Sequence, residues 1–263
     1  MPSVEVEGRR IHWREQGSGA AMLLLHAFPL DSRMWQQQLD GLSDRYRVIA
    51  PDLSGFGAST VPADPAAYSV ERWAEEARAV LDACGIERAI VGGCSMGGYV
   101  AFAFLRRWPE RVAGLLLADS RAGADTPEAR KGREQTQAEV RSQGKGPLVE
   151  RMLGLLLSQR GQGDAALVQR VRALMDQREA GIVGGLEALK NRPDSADLLP
   201  GVRVPAVVVV GAEDAITPPA LAEEMAAAIP GARLSVLPAA GHLANLEVPE
   251  AFDRALDFPQ APR

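Results

Sequence analysis

Apolar residues along this chain fall into two arrangements that alternate: short unbroken runs, and stripes at helical spacing. Met22-Leu23-Leu24-Leu25, the Ile90-Val91 segment and Val207-Val208-Val209-Val210 are unbroken runs. Such runs predict strands covered on both faces, the environment of a parallel sheet. Ser32 to Leu42 and Tyr68 to Cys84 read as helices, the second amphipathic and closed by Gly85 as its C-cap. Further strands are expected at Arg47–Ala50, Val112–Asp119 and Ala232–Leu237, with a closing helix from Pro249 to Phe258. Val4–Glu7 and Arg10–Glu15 alternate in polarity around Gly8, which predicts a hairpin at the sheet edge. The succession of β and α implies an α/β protein with a mostly parallel sheet and helices on both faces.

From Arg121 to about Asp197 the strand pattern stops. Thr126-Pro127-Glu128 predicts a capped helix start, and Gly144-Lys145-Gly146-Pro147 breaks that helix and begins another. Leu167, Val168, Val171, Leu174 and Met175 then fall on one helical face. The expected organisation is a core of residues 1–120 and 198–263 interrupted by a helical cap at 121–197. Such an insertion either covers core or forms a lid over a pocket, and the lid is the preferred expectation because active-site entrances favour insertions of this kind.

One junction carries candidate chemistry. Ile90-Val91-Gly92-Gly93-Cys94-Ser95-Met96-Gly97-Gly98 joins a strand to a helix through a Gly-x-Ser-x-Gly turn. Val100 to Leu105 then has no polar face, as expected of a helix buried on all sides. Glycines two residues either side of Ser95 remove side chains where strand and helix crowd, and the turn forces the serine into a strained conformation. A serine hydroxyl is a weak nucleophile until an oriented base takes its proton. The chain has three histidines. His12 falls in the edge hairpin and is expected to be solvated, and His26 directly ends a strand. His242 lies in a loop after the last strand and is by elimination the candidate base. Ser95, Asp214 and His242 occur in that order, each after a strand. Asp214 has two competitors for the acid: Glu213, which points the other way if the pleat continues, and Asp119 at the end of the preceding strand. Asp214 is preferred because its loop directly follows a buried strand. Asp52 reads as a turn-forming carboxylate, and Gly55-x-Gly57 lacks the third glycine or Gly-Lys-Ser/Thr of a phosphate loop.

Taken together, His26-Ala27-Phe28-Pro29, Pro51-Asp52-x-x-Gly55-x-Gly57-x-Ser59, Gly93-Cys94-Ser95-Met96-Gly97-Gly98, Gly211-x-x-Asp214 and Gly241-His242 resemble the α/β-hydrolase superfamily over almost the whole chain. Where the family usually has His-Gly, this chain has His26-Ala27. The resemblance implies a mostly parallel eight-stranded sheet with a helical cap insertion, Ser95 as nucleophile, His242 as base and Asp214 as the acid that holds the imidazole. The oxyanion would be held by the backbone N–H groups of Met96 and Phe28, the first at a helix N-terminus where negative charge is favoured. The four-helix insertion and Asp119-Ser120-Arg121-Ala122 look like those of enol-lactonases and small carboxylesterases. The leading expectation is a serine hydrolase of a small carboxylic ester or lactone, working through an acyl-enzyme. One alternative is a 3-oxoadipate enol-lactonase of aromatic degradation, with Arg121 as the candidate for an anionic substrate. The other is a slow-turnover small-molecule receptor on the same scaffold.

Composition narrows the remaining classes. A formal charge of −5 argues against a nucleic-acid or anionic-membrane binder. The two cysteines, Cys84 and Cys94, have no CxxC spacing or histidine cluster, so no metal and no disulfide framework is expected, and the hydrolysis needs no cofactor. No apolar run approaches the ~20 residues of a membrane span, and the acidic N-terminus lacks an apolar signal core. The expected setting is cytoplasmic, with a small-molecule ester or lactone as the only partner; the pattern does not specify an oligomeric state.

Overall fold

The computed structural model describes residues 1–258, so residues 259–263 of the predicted core range lie outside the described residues. The chain opens with an antiparallel hairpin, β1 (Ser3–Val6) and β2 (Arg9–Gln16). It continues through β3 (Ala20–Leu25), a 3₁₀ turn (Ser32–Trp35), α1 (Gln36–Gly41), β4 (Tyr46–Pro51), α2 (Val70–Ala83), β5 (Ala89–Cys94), α3 (Met96–Arg107) and β6 (Val112–Ala118). Next come α4 (Pro127–Gln143), α5 (Gly146–Leu156), α6 (Gln159–Gly163), α7 (Ala165–Leu174) and α8 (Glu179–Asn191). The core resumes with β7 (Ala206–Gly211), α9 (Pro219–Ala228), β8 (Arg233–Leu237), α10 (Ala244–Glu247) and α11 (Pro249–Ala255).

Among the described residues the strands form one eight-stranded sheet in the order β1-β2-β4-β3-β5-β6-β7-β8. Only β1–β2 and β2–β4 pair antiparallel; every other neighbouring pair is parallel. The mostly parallel α/β architecture read from the apolar runs is therefore the one observed. The pleat explains the continuous runs: Leu23, Leu25, Val208 and Val210 join the core under α2, α3 and α9, whereas Met22, Leu24, Val207 and Val209 join Trp35, Leu39 and Phe252 on the opposite face. Each fully buried Leu or Val contributes about 1.5–3 kcal/mol, so neither face of these strands can be left open.

Several boundaries differ from the sequence reading. The first helix begins as a 3₁₀ turn, with Asp31 accepting the Arg33 N–H at 2.9 Å. α2 starts two residues later than expected because Ser69, not Tyr68, caps it, accepting from Arg72 N–H at 3.2 Å. The closing helix stops at Ala255, and Phe258 is instead buried against Gly114, its N–H donated to the Tyr46 hydroxyl at 3.2 Å. The stretch between β6 and β7 holds five α-helices, followed by a 3₁₀ turn at Ala196–Gly201, where the resemblance implied four helices. The extra one, α6, is a single turn delimited by two polar caps, Ser158 at its start and Asp164 at the start of α7.

Candidate active site

Ser95 stands between β5 and α3 at φ 53° and ψ −110°, a conformation that few side-chain-bearing residues adopt. Close packing explains why glycines flank it: a Cβ on Gly97 would overlap the Leu25 carbonyl, and one on Gly93 would lie 2.8 Å from Gly97. The elbow is pinned through its backbone. Ser95 N–H donates to Ala118 O at 2.9 Å, and its carbonyl accepts from Gly98 N–H and from the Ser120 hydroxyl, each at 2.9 Å. Ser95 itself is half-buried, while the α3 residues that follow it up to Leu105 are buried, as their apolar sequence requires.

His242 and Asp214 meet at the same end of the sheet, beyond β8 and β7. His242 Nδ1 lies 2.8 and 2.9 Å from the two Asp214 carboxylate oxygens. A carboxylate accepts, so Nδ1 carries the proton and Nε2 keeps its lone pair; among the described residues Nε2 has no protein hydrogen-bond partner. The Asp214 carboxylate is further saturated by Ile216 N–H (2.8 Å), Thr217 N–H (2.9 Å) and the Thr217 hydroxyl (2.7 Å). Burial by itself would raise the Asp214 carboxyl; the positive charge that the imidazole carries when protonated and its hydrogen bond, together with Thr217, outweigh it and hold the group below its ordinary value. The His242 loop is anchored beside the elbow, with Cys94 Sγ 3.5 Å from the His242 carbonyl. No hydrogen bond links Ser95 Oγ to the His242 ring among the described residues, and such contacts commonly tighten only when substrate is bound.

The two competing acids are engaged elsewhere. Glu213 turns away from His242 and accepts from Gln159 N–H at 2.9 Å. Asp119 is buried at φ 44°; its Oδ1 accepts from Gly211 N–H at 2.8 Å, and its Oδ2 has no partner. Burial, reinforced by the nearby Asp214 charge, pushes Asp119 well above the ordinary carboxylate range. The two buried carboxyls of this pair are therefore shifted in opposite directions.

Phe28 follows β3 in a loop organised by His26. Leu53 N–H donates to His26 Nε2 at 3.1 Å, which places the proton on Nδ1, 3.0 Å from Ala27 O. Burial lowers the basicity of this ring, so it serves as a neutral bracket between two loops. Among the described residues neither the Phe28 N–H nor the Met96 N–H donates to a protein group. Asp52 accepts from Ser32 N–H (2.8 Å) and Ala58 N–H (2.9 Å), the turn-forming role read for it. Arg121 is not brought to Ser95 by any hydrogen bond. Its guanidinium donates to Asp125 at 2.7 Å, a carboxylate it shares with Arg133 and Arg192. His12 is half-buried in β2, not solvated as expected: its ring Nδ1 is buried without a partner, and its backbone N–H and C=O are paired with the Ser59 hydroxyl and Asp52 N–H.

Cys84 and Cys94 are free thiols. Among the described residues no group of three or more His, Cys, Asp or Glu could hold a metal ion, and no helix is long and apolar enough to cross a membrane. Sequence reasoning missed Thr217, which directly precedes the Pro218-Pro219 start of α9. The structure gives that helix Pro218 at its cap and turns the threonine hydroxyl onto Asp214. The available signal was the Asp-x-x-Thr spacing, which lets a carboxylate capture the hydroxyl three residues on.

A family model described as the alpha/beta hydrolase fold matches residues 20–249. The chain is similar to 3-oxoadipate enol-lactonase 2 of Acinetobacter baylyi, 29% identical over 244 residues that cover 92% of this chain and 89% of the relative. It is similar to the 2-hydroxymuconate semialdehyde hydrolase of Pseudomonas putida at 32% identity, covering 95% of this chain and 90% of that one. Among solved structures, a malate-bound thermophilic esterase from Thermogutta terrifontis superposes with a TM-score of 0.91 at 37% identity, over 97% of this chain and 94% of that chain.

Proposed function

The chain belongs to the α/β-hydrolase family, and from that premise we propose that it is a serine hydrolase cleaving a small carboxylic ester or lactone. The observation that carries this reading is the buried Asp214–His242 pair, whose free Nε2 belongs to a loop anchored 3.5 Å from the neighbour of a strained serine. His242 Nε2 takes the Ser95 proton as Oγ attacks the acyl carbon. The Met96 and Phe28 N–H groups receive the oxyanion, and Asp214 stabilises the imidazolium. Collapse breaks the bond to the alcohol oxygen, which leaves with the proton from His242 and, for a lactone, stays tethered to the acyl group. A water molecule, deprotonated by the same nitrogen, then attacks the acyl-enzyme, and the carboxylic acid departs as the proton returns to Ser95.

Arg121, on which an anionic enol-lactone would rely, has its guanidinium held by Asp125, so the reading stays with the broader ester and lactone class. The helices from α4 to α8 are proposed to act as a cap over the site. Packing of α8 on the Phe28 side supports this: a Cβ on Gly185 would lie 2.8 Å from the Phe56 ring and 2.9 Å from the Phe28 ring, overlapping both.

A panel of short-chain p-nitrophenyl esters and lactones tests the proposal. Repeated turnover by the wild type, lost by roughly 10⁶-fold in a folded Ser95→Ala variant, is the expected result. Full activity in Ser95→Ala would overturn it, and a single burst without further turnover would point to the receptor reading.

A further inference from the structure

Five residues after His242, Glu247 makes hydrogen bonds in two directions. Its Oε1 accepts from Gly241 N–H, the peptide adjoining the histidine, at 2.7 Å. The same carboxylate accepts from Ser158 N–H at 3.1 and 3.2 Å and from the Ser158 hydroxyl at 2.5 Å. Ser158 is buried at the α5–α6 turn, where its hydroxyl oxygen also caps α6 by accepting from Gly161 N–H at 3.0 Å. The packing leaves no slack. A Cβ on Gly161 would overlap the Glu247 carboxylate, and one on Gly241 would lie 2.6 Å from Ser158 N. A second tie reaches the next residue of the same turn: Gln159 N–H donates to Glu213, the neighbour of Asp214, at 2.9 Å.

Resting on the serine-hydrolase reading, we propose that Glu247 is a positioning residue that locks the His242 loop to the α5–α6 turn. Docking of that turn and alignment of the base toward Ser95 then become one event. A carboxylate is suited to this task because it offers acceptors on both oxygens and no donor, while each group hydrogen-bonded to it among the described residues is an N–H or O–H. Gly241 carries no side chain that could hold the loop by packing, so its N–H bond to Glu247 fixes the peptide plane from which the imidazole projects. Proton transfer is sensitive to displacements of about an ångström, and a loosened loop lowers turnover without removing any group that touches substrate.

Glu247→Gln keeps the shape but replaces one acceptor oxygen by an NH₂ that must face another donor. The test compares wild type, Ser95→Ala, Glu247→Gln, Ser158→Ala and the Glu247→Gln/Ser158→Ala double variant. Three readouts are taken: kcat and KM on p-nitrophenyl butyrate, the rate of covalent labelling of Ser95 by a fluorophosphonate, and amide hydrogen exchange. In Glu247→Gln, kcat and labelling rate should fall by about tenfold or more with KM within about threefold, the mark of lost alignment, not lost binding. Ser158→Ala should change both in the same direction, and the double variant should be no slower than Glu247→Gln, because both act through one contact. The amides of Gly241 and Ser158 should lose protection together. Unchanged kcat in folded Glu247→Gln, a defect in KM alone, additive losses in the double variant, or faster exchange on only one side would each overturn the proposal. Should Glu247→Gln not fold, Ser158→Ala alone decides by the same kinetic and exchange criteria. If wild type is not labelled at Ser95, the serine-hydrolase reading fails, and the lock is judged on the paired exchange alone.

Discussion

Replacing Asp119 by asparagine should stabilise the fold, and increasingly so as pH rises. The side chain is 1% exposed, one carboxyl oxygen accepts from Gly211 N–H at 2.8 Å, and the other has no partner. Burial, with the Asp214 charge nearby, keeps the proton on Asp119 in the native state far above the ordinary carboxylate range. In the unfolded chain the group ionises near its ordinary value of about 3.9. Below that pH both states are protonated and the group contributes nothing. Above it the unfolded state gains by ionising while the native state cannot, so wild-type stability is eroded by about 1.4 kcal/mol per pH unit until the native carboxyl titrates. Asparagine keeps the acceptor for Gly211 and has no proton to lose, so the variant escapes this erosion. From about pH 5 upward its advantage should grow by up to about 1.4 kcal/mol per pH unit and level off where the native carboxyl titrates, each such step being roughly 3–6 °C in Tm for a chain of this size. Asp214 works in the opposite sense: its lowered native pKa contributes stability that is present above the unfolded value and is lost as pH falls through the folded one. That window lies below about pH 4, outside the range of the comparison. Urea denaturation of both proteins across this range reads the difference directly. A difference that is flat with pH would mean that Asp119 is ionised in the native protein, and the reasoning from burial would fail.

Three other perturbations follow from the same geometry. Asp214→Asn should lower kcat on an activated ester by about 10⁴-fold with the fold retained, since the amide cannot hold the Nδ1–H tautomer; a loss under tenfold would shift the acid role to another residue. Thr217→Val removes the 2.7 Å hydroxyl contact to Asp214. A hydrogen bond to a charged group is worth about 1.5–3 kcal/mol, so kcat should fall roughly 10- to 100-fold, and steady-state kinetics with wild-type KM would check it. Gly181→Ala should be net destabilising by about 1–2 kcal/mol in denaturant titration, because the new Cβ overlaps the Gly55 carbonyl, a rigid backbone atom, and this exceeds the ~1 kcal/mol gained from helix propensity.

The lowered carboxyl of Asp214 and the raised carboxyl of Asp119 arise within one buried region from different neighbours. Asp214 faces an imidazole and three donors, whereas Asp119 accepts from Gly211 N–H, has Ala244 N–H nearby, and faces the charges of Asp214 and Glu247. Two carboxyls of identical intrinsic acidity are thereby shifted in opposite directions, and the one held below its ordinary value is the one in contact with His242.

Much of this molecule is local in origin, and that part was legible in the chain itself. Continuous Leu and Val runs specify buried parallel strands because the pleat sends alternate side chains to opposite covered faces. Gly93 and Gly97 around Ser95 specify a crowded strand-to-helix turn, and an apolar segment without a polar face specifies the buried helix after it. These signals act over a handful of residues, where backbone stereochemistry and periodicity suffice. Which acid meets His242, what Thr217 does, how Arg121 is neutralised and where Glu247 points depend on pairings between distant segments. Ser158 and Glu247 are 89 positions apart and Asp214 and His242 are 28. A carboxylate reads alike in sequence whether it faces solvent, a guanidinium or an imidazole. Only the folded chain, by choosing its neighbours and excluding water, decides which of these it is.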